Sequence, residues 1–356
     1  MAESGICLYV SHHGSNEISV WRMSSETGEL TPVQTVPTEV KVMPLAVSPD
    51  RRFLYAGLRK KPWTIASYAI DGQSGKLTHL TNTPAFESAV YLCTDQTGRY
   101  LITANNSTNY DKRTGIFSIN AIGDRGCVQS PYEMFRTPVK LHCVRPDPTN
   151  RFLFGASCDG DMIVRYAFDA VTGIVNPDPL PPVMVLRRTG PRHIMFHPNN
   201  RFMYMIGEYS ASIYAFRYDA RNGSLSEIQI AEGTPPGFEP VARGDGGRLG
   251  ISSSGADLHF TPDGRRLYTS ARASSTIAAF RVDPVTGLLT CEGHFPMPKE
   301  PRGFNIDPTG RYLFAAGEIS KNLVSFRIDS ETGSLTRIRE YAVGEGPNWL
   351  EFVTLP

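Results

Sequence analysis

A five-residue turn, Pro-Asp/Asn-x-Gly/Asn-Arg in its fullest form, constrains this chain more than any other feature. An alternating aromatic and aliphatic run follows each copy. The copies start at Ser48, Asp95, Asp147, His197, Thr261 and Asp307, at intervals of 47, 52, 50, 64 and 46 residues. A second turn, Thr/Ser/Asn-Gly-x-Leu in kind, recurs with its glycine at Gly28, Gly75, Gly126, Gly173, Gly223, Gly287 and Gly333; the Gly126 copy is degenerate. A period near 50 with turns at fixed offsets marks stacked or radial repetition.

The runs between turns are short and alternate, as at 213–218, 277–282 and 323–328. Alternation of Phe, Tyr, Val and Ile reads as half-buried strand, and no amphipathic helix of three turns is visible. Four strands per unit, repeated radially, make a β-propeller blade. A solenoid would need polar caps, and none is seen. The chain enters at Cys7–Ser11, which matches a unit's second strand without its inner strand. It leaves at Gly346–Val353, which matches the inner strand at 190–196 with nothing after it. The last strand is therefore expected to join the first blade and close a seven-bladed, all-β ring, pairing edges that would otherwise be aggregation-prone. The unbroken repeat predicts one domain over 1–356, although length alone would allow two.

A net charge of +1 gives no field to attract nucleic acid or a membrane surface. The N-terminal residues lack the basic and apolar regions of a signal peptide, and no apolar run approaches the roughly 20 residues of a membrane helix. Six irregularly spaced cysteines fit buried thiols in a cytoplasmic protein. No Cys-x-x-Cys spacing suggests zinc. His12 and His13 are too isolated to make a metal site.

Comparison of the copies separates scaffold from site. Arg52, Arg99, Arg151, Arg201, Arg265 and Arg311 recur at one offset and read as structural, as does His197 at a turn position. Counting five residues on from the first aliphatic of each second strand gives His13, Arg59, Asn106, Cys158, Glu208, Arg272 and Glu318. Six of the seven are polar or charged, and repeat geometry predicts a ring of them at one mouth of the central channel. Aligning inner strands on a closing Pro or Asp gives a second set, Lys140, Arg192, Arg302 and Asn348. The next position holds His193, Asp257 and Trp349, and His142 and His259 lie further along their strands. Mixed acids, bases and amides converging in a pocket suit a polar ligand, and adjacent cations suit its carboxylate, phosphate or sulfonate. Each has a plainer reading: Arg192 and Arg302 could bond inter-blade carbonyls, Glu208 could pair with a neighbouring arginine, His142 could be a satisfied core group, and Asp257 could orient His259. The 64-residue interval is an insertion, Gly/Pro-rich at 233–240 and 243–250, in a position to cover the ring as a lid.

Gly-Pro-Arg-His-x-x-Phe-His-Pro at 190–198, Asp257-Leu-His259-Phe-Thr-Pro-Asp-Gly-Arg, Pro301-Arg302-Gly-Phe-Asn-Ile-Asp and Val343-Gly-x-Gly-Pro-x-Trp349 together resemble the seven-bladed propeller lactonases, over essentially the whole chain. That family includes the cycloisomerase-2-type 6-phosphogluconolactonases and the carboxy-muconate lactonising enzymes. The resemblance implies catalytic roles for His142, Arg192, Glu208 and Arg272; the comparison of copies leaves Lys140, His193, Asp257, His259, Arg302, Glu318 and Asn348 as expected substrate-binding residues. Glu318 stands where the phosphogluconolactonases tend to carry glutamine. The extra carboxylate would disfavour a dianionic phosphate unless a neighbour such as Lys321 neutralises it.

The expected reaction is hydrolysis of an anionic sugar-acid lactone. Arg192 or Arg272 would stabilise the oxyanion, and Glu208 or His142 would take the proton of the attacking water. The alternative is a muconate-type cycloisomerase, in which the same groups move a proton during ring closure. A protein-binding propeller is the third class, disfavoured by charge converging on the axis. The expected partner is thus a small anionic lactone, with no metal or cofactor, no nucleic acid and no membrane, on a monomer or small homo-oligomer.

Overall fold

The computed structural model describes residues 5–106, 114–131, 133–137, 139–242 and 250–356. Among them there are no helices, and seven antiparallel sheets stand in a ring. Blade 1 runs from the axis outward as Pro347–Thr354, Ile6–His12, Glu17–Met23 and Leu30–Pro37. Blades 2 to 7 begin with inner strands Val42–Val47, Ser88–Thr94, Leu141–Pro146, Pro191–Phe196, Gly255–Phe260 and Pro301–Ile306. The closing strand pairs with Ile6–His12 from Thr354 opposite Ile6 to Pro347 opposite His12, so the expected closure is present. Leu350, Val353 and Leu355 are buried behind it. No helix among the described residues is long and apolar enough to cross a membrane.

The repeated turns do physical work between blades. Asp147 Oδ1 accepts from the backbone N–H of Phe152 at 2.7 Å, and Asp307 Oδ1 does the same for Tyr312; Ser48 Oγ serves Phe53 at 3.0 Å in blade 2. The recurring arginines reach the next blade's turn, with Arg151 on Ala220 O, Arg201 on Val285 O and Arg311 on Ser25 O. Tyrosines of the second strands reach the glycine turns: Tyr9, Tyr204 and Tyr268 donate to Gly75 O, Gly287 O and Gly333 O at 2.7–2.9 Å. Gly287 has φ +78°, and a Cβ there would come within 2.4 Å of the Phe202 ring, so both conformation and space require glycine. His197 is structural as expected: Nδ1 accepts from Asn199 N–H, which leaves Nε2–H to donate to Gly264 O at 2.9 Å.

Two irregularities bear on the site. Blade 4 has a broken outer edge, Val175–Pro177 and Val183–Met184, because the prolines between cannot donate to the ladder. The insertion between blades 5 and 6 forms a small hairpin of Val241–Ala242 and Ile251–Ser252. Its first part, Thr234–Phe238, lies against Phe280, Leu289 and His294 on the outer side of the sheets, away from the axis. Residues 243–249 lie outside the described residues, and with them the central stretch of the expected lid. The returning segment is a strut: Ser252 Oγ donates to Glu208 O and Gly255 N–H to the same carbonyl.

Candidate active site

Each inner strand carries a β-bulge near its start, and the bulges build the site. Leu141 pairs with Ser157 and Cys143 with Ala156, which leaves His142 unpaired. The same skip leaves out Arg192 in blade 5, Arg302 in blade 7, Val90 in blade 3 and Asn348 in blade 1. In blades 2 and 6 the irregular stretch covers Met43–Pro44 and Ala256–Asp257. A bulge re-aims the extra residue's side chain away from the sheet's alternation. Met43, Val90, Arg192, Asp257, Arg302 and Asn348 accordingly line a narrow throat on the axis, with His193 and Trp349. This register corrects one alignment. His142, not Lys140, is the blade 4 equivalent of Arg192 and Arg302; Lys140 precedes the strand.

A second tier comes from the residue after each second strand. His13, Arg59, Cys158, Glu208, Arg272 and Glu318 each donate the backbone N–H to a carbonyl just before the inner strand, at 3.0, 2.7, 2.8, 2.6, 2.9 and 3.1 Å. One backbone bond, repeated blade by blade, holds these side chains at one height. The Asn106 side chain falls outside the described residues.

The two tiers meet on Glu208. Its Oε1 accepts from Arg272 Nη2 at 3.1 Å and lies 3.9 Å from Arg192 Nε. Its Oε2 accepts from the Cys158 thiol at 3.1 Å and lies 3.8 Å from Lys140 Nζ. Burial alone would raise this carboxyl, but Lys140, Arg192, Arg272 and the thiol outweigh it and hold it at about 2. Glu208 is therefore an arginine partner as well as a ring member.

Arg192 is buried and braced. Nη1 donates to Ala256 O of the next blade and to His193 Nε2 at 3.1 Å. His193 Nδ1–H donates to Asp257 Oδ1 at 2.9 Å, which leaves Nε2 as the acceptor facing Arg192. Burial and the adjacent Arg192 depress the His193 imidazole to about 4, so it is neutral at pH 7. The inter-blade carbonyl contact expected of a structural arginine is thus real, and Arg192 Nε, 3.9 Å from Glu208 Oε1, has no hydrogen-bond partner among the described residues. His142 is buried beside it, its ring centroid 5.2 Å from that of His193, and its Nδ1 has no hydrogen-bond partner. Burial first, then Arg192, His193, Lys140 and Arg302, lower its basicity well below the ordinary imidazole value.

Across the mouth, Glu318 Oε1 meets His13 Nε2 at 2.9 Å and Asn348 Nδ2 at 3.4 Å, and its Oε2 lies 3.5 Å from Arg302 Nη1. Lys321, expected to neutralise Glu318, pairs with Glu345 at 2.5 Å. His13 and Arg302 take that role. They outweigh burial and hold the Glu318 carboxyl at about 2.

One expected residue, His259, faces elsewhere, and Asp257 spans both spaces. Asp257 accepts from His193 and also from His259 Nε2, at 3.2 Å. His259 opens on a separate cavity of about 400 Å³ at the opposite end of the axis, lined also by Arg145, Asn305 and Glu351. Asp257 lines both spaces and orients a histidine in each. The sequence comparison passed over Lys41, on the rim beside Arg59, because the inner-strand alignment started after it.

A model of the family described as lactonase, 7-bladed beta-propeller, matches residues 6–352. The 6-phosphogluconolactonase of Pectobacterium carotovorum subsp. carotovorum is 35% identical over 348 residues, 98% of each chain. The solved structure of a candidate 6-phosphogluconolactonase from Bacteroides fragilis aligns with a TM-score of 0.86 at 26% identity, over 99% of each chain. The periplasmic gluconolactonase of Pseudomonas aeruginosa shares the fold at a TM-score of 0.89 and 24% identity, over 99% of this chain and 100% of that one.

Proposed function

Because the chain belongs to the seven-bladed β-propeller lactonases, we propose that it hydrolyses the ring ester of a sugar-acid lactone of the 6-phosphogluconolactone type. The observation that carries the division of labour is Arg192, braced through Nη1 by Ala256 O and His193 and standing beside His142, whose Nδ1 has no hydrogen-bond partner among the described residues and whose basicity burial lowers.

The ester carbonyl lies against Arg192, whose guanidinium receives the charge that develops on oxygen when water adds. A donor held in place before reaction loses no energy to reorganisation. His142 accepts the water proton and passes it to the ring oxygen as the C–O bond breaks, which yields the open-chain acid. Both Glu208 oxygens are already engaged, and a carboxylate held at about 2 is a weak base. Glu208 instead gathers Arg192, Arg272 and Lys140 onto one anion, so that their charges do not drive one another apart. The scheme routes no step through a metal.

The finer assignments rest on this reading. The residues His142, Arg192, Glu208 and Arg272 work at the ester, with His193 and Asp257 positioning Arg192 and with Lys140, Arg302, Glu318 and Asn348 framing the substrate. His259 belongs to the opposite cavity. One domain, a cytoplasmic location and a monomer or small homo-oligomer complete the proposal; the six free cysteines suit a reducing compartment.

The test is an assay of purified protein with freshly made 6-phosphogluconolactone, glucono-lactone and carboxy-muconate, each corrected for its spontaneous reaction. Lactone opening well above the uncatalysed rate is expected. Turnover of the muconate alone would replace hydrolysis with cycloisomerisation.

A further inference from the structure

The charges on the side of the mouth formed by blades 7, 1 and 2 do not balance. Arg59 follows the second strand of blade 2, as Glu208 and Glu318 follow theirs in blades 5 and 7. Those carboxylates have cationic or imidazole partners. Among the described residues Arg59 donates only to neutral groups, from Nε to Ser88 Oγ at 2.8 Å and from Nη1 to Met43 Sδ at 2.7 Å. Its backbone N–H is fixed on Lys41 O at 2.7 Å, which brings the Lys41 side chain to the same rim. Lys41 makes no ion pair among the described residues. Arg302 shares Glu318 with His13 and Asn348. Of these three cations only Arg302 pairs with a carboxylate among the described residues, and both oxygens of that carboxylate are in use.

We propose that Arg59, Lys41 and Arg302 form an anion subsite for a phosphate monoester dianion, carried on the end of the lactone remote from its ester. This assignment rests on the lactone reading above. Two cations with no carboxylate partner among the described residues, beside Arg302, suit an anion of more than one charge such as a phosphate monoester. Arginine also presents paired N–H donors to phosphate oxygens. Arg59 and Lys41 belong to blade 2, away from the blade 5 and 6 residues at the ester end. Blade 2 faces blades 5 and 6 across the axis, and its Arg59 touches Met43, which lines the throat together with Arg192 and Arg302.

The electrostatics of the cluster agree. Burial, then repulsion from Arg302, lowers Arg59 to about 10. Lys41 is lowered by partial burial, then by Arg59 and Arg302, against the opposing pull of Glu318. A cation removed from water without an anion is costly, and a bound dianion removes that cost.

The experiment compares wild type with Arg59→Met and Lys41→Gln. It measures kcat/KM for 6-phosphogluconolactone relative to unphosphorylated glucono-lactone, and the affinity for inorganic phosphate by calorimetry and competitive inhibition. The preference for the phosphorylated lactone is expected to fall at least tenfold in Arg59→Met, mainly through KM, with phosphate affinity falling in parallel. Lys41→Gln, at an exposed position, should lower both several-fold and covers the case in which Arg59→Met does not fold. An unchanged preference and unchanged phosphate affinity in the folded variants overturn the subsite. A wild type that opens neither lactone, yet binds phosphate with an affinity lost in the variants, overturns the lactone reading and leaves the subsite standing.

Discussion

Arg272 Nη2 lies 3.1 Å from Glu208 Oε1, although 64 residues separate the two in the chain. They sit at equivalent positions on adjacent blades, each hung from its own backbone hydrogen bond. Arg192, from the bulge between them, approaches the same oxygen at 3.9 Å. Two guanidiniums thus converge on one carboxylate oxygen, and that convergence orders the ester side of the mouth.

Arg192→Ala should lower kcat by about 10²–10³-fold, the usual cost of removing an oxyanion donor. Glu208→Gln should cost about 10–10²-fold, because it removes the charge that holds Arg192 and Arg272 together rather than a reacting group. Steady-state kinetics on variants with native circular dichroism make the comparison. Full activity in both variants removes this cluster from the mechanism.

His142 acts in the proposed scheme as a neutral imidazole, and burial with the surrounding cations lowers its pKa. Protonation removes the base, so activity declines only as pH falls below that depressed value. The plot of kcat/KM against pH should stay level through the ordinary imidazole range near 6.5 and bend downward on its acid side. In His142→Gln the rate should drop about 10²-fold and the acid limb should vanish. An acid limb that survives in His142→Gln assigns the base elsewhere.

Glu351 gives a stability prediction with a defined sign. Burial raises its carboxyl to about 7, against the hydrogen bond from Trp349 Nε1 and the nearby His259 and Arg145. The folded state binds the proton more tightly than the unfolded one, so this group's contribution is lost as pH rises from about 4.5 to 7. Glutamine keeps an acceptor for Trp349 and carries no charge. Glu351→Gln should therefore gain on the order of 1 kcal/mol relative to wild type between pH 5 and pH 8, measured by urea unfolding at both values. His193 and Glu208 act in the opposite sense: with folded values depressed to about 4 and about 2, their contributions are lost as pH falls. A gain for Glu351→Gln that is largest at pH 5 would contradict the assignment.

Removing Trp349–Pro356 takes away most of the strand that pairs with Ile6–His12. It also strips Leu350, Val353 and Leu355 from the core, at roughly 1.5–3 kcal/mol for each buried side chain. The truncated chain should melt at least ten degrees lower and aggregate through its opened edge. A melting temperature equal to that of the full chain would show that closure contributes nothing.

Much of this was legible before any coordinates. Turns and alternation are properties of neighbouring residues, so the recurrence from Ser48 to Asp307 determined blades, strand order and closure without reference to distant parts of the chain. The ring from His13 to Glu318 was readable for the same reason, since one offset in a repeat maps to one height on the axis. Bulges were not readable. A single extra residue leaves no mark in the alternation, and Pro146 and Pro148 offered competing landmarks. Lys140 was therefore aligned where His142 belongs. Nor could the chain alone say which charges meet. Glu208 joins Arg272 and Arg192, Glu318 joins His13 and Arg302 instead of nearby Lys321, and His259 turns to the far cavity. Those choices depend on side-chain reach between blades far apart in sequence, and only closing the ring brings the groups close enough for Coulomb attraction and desolvation to select among them.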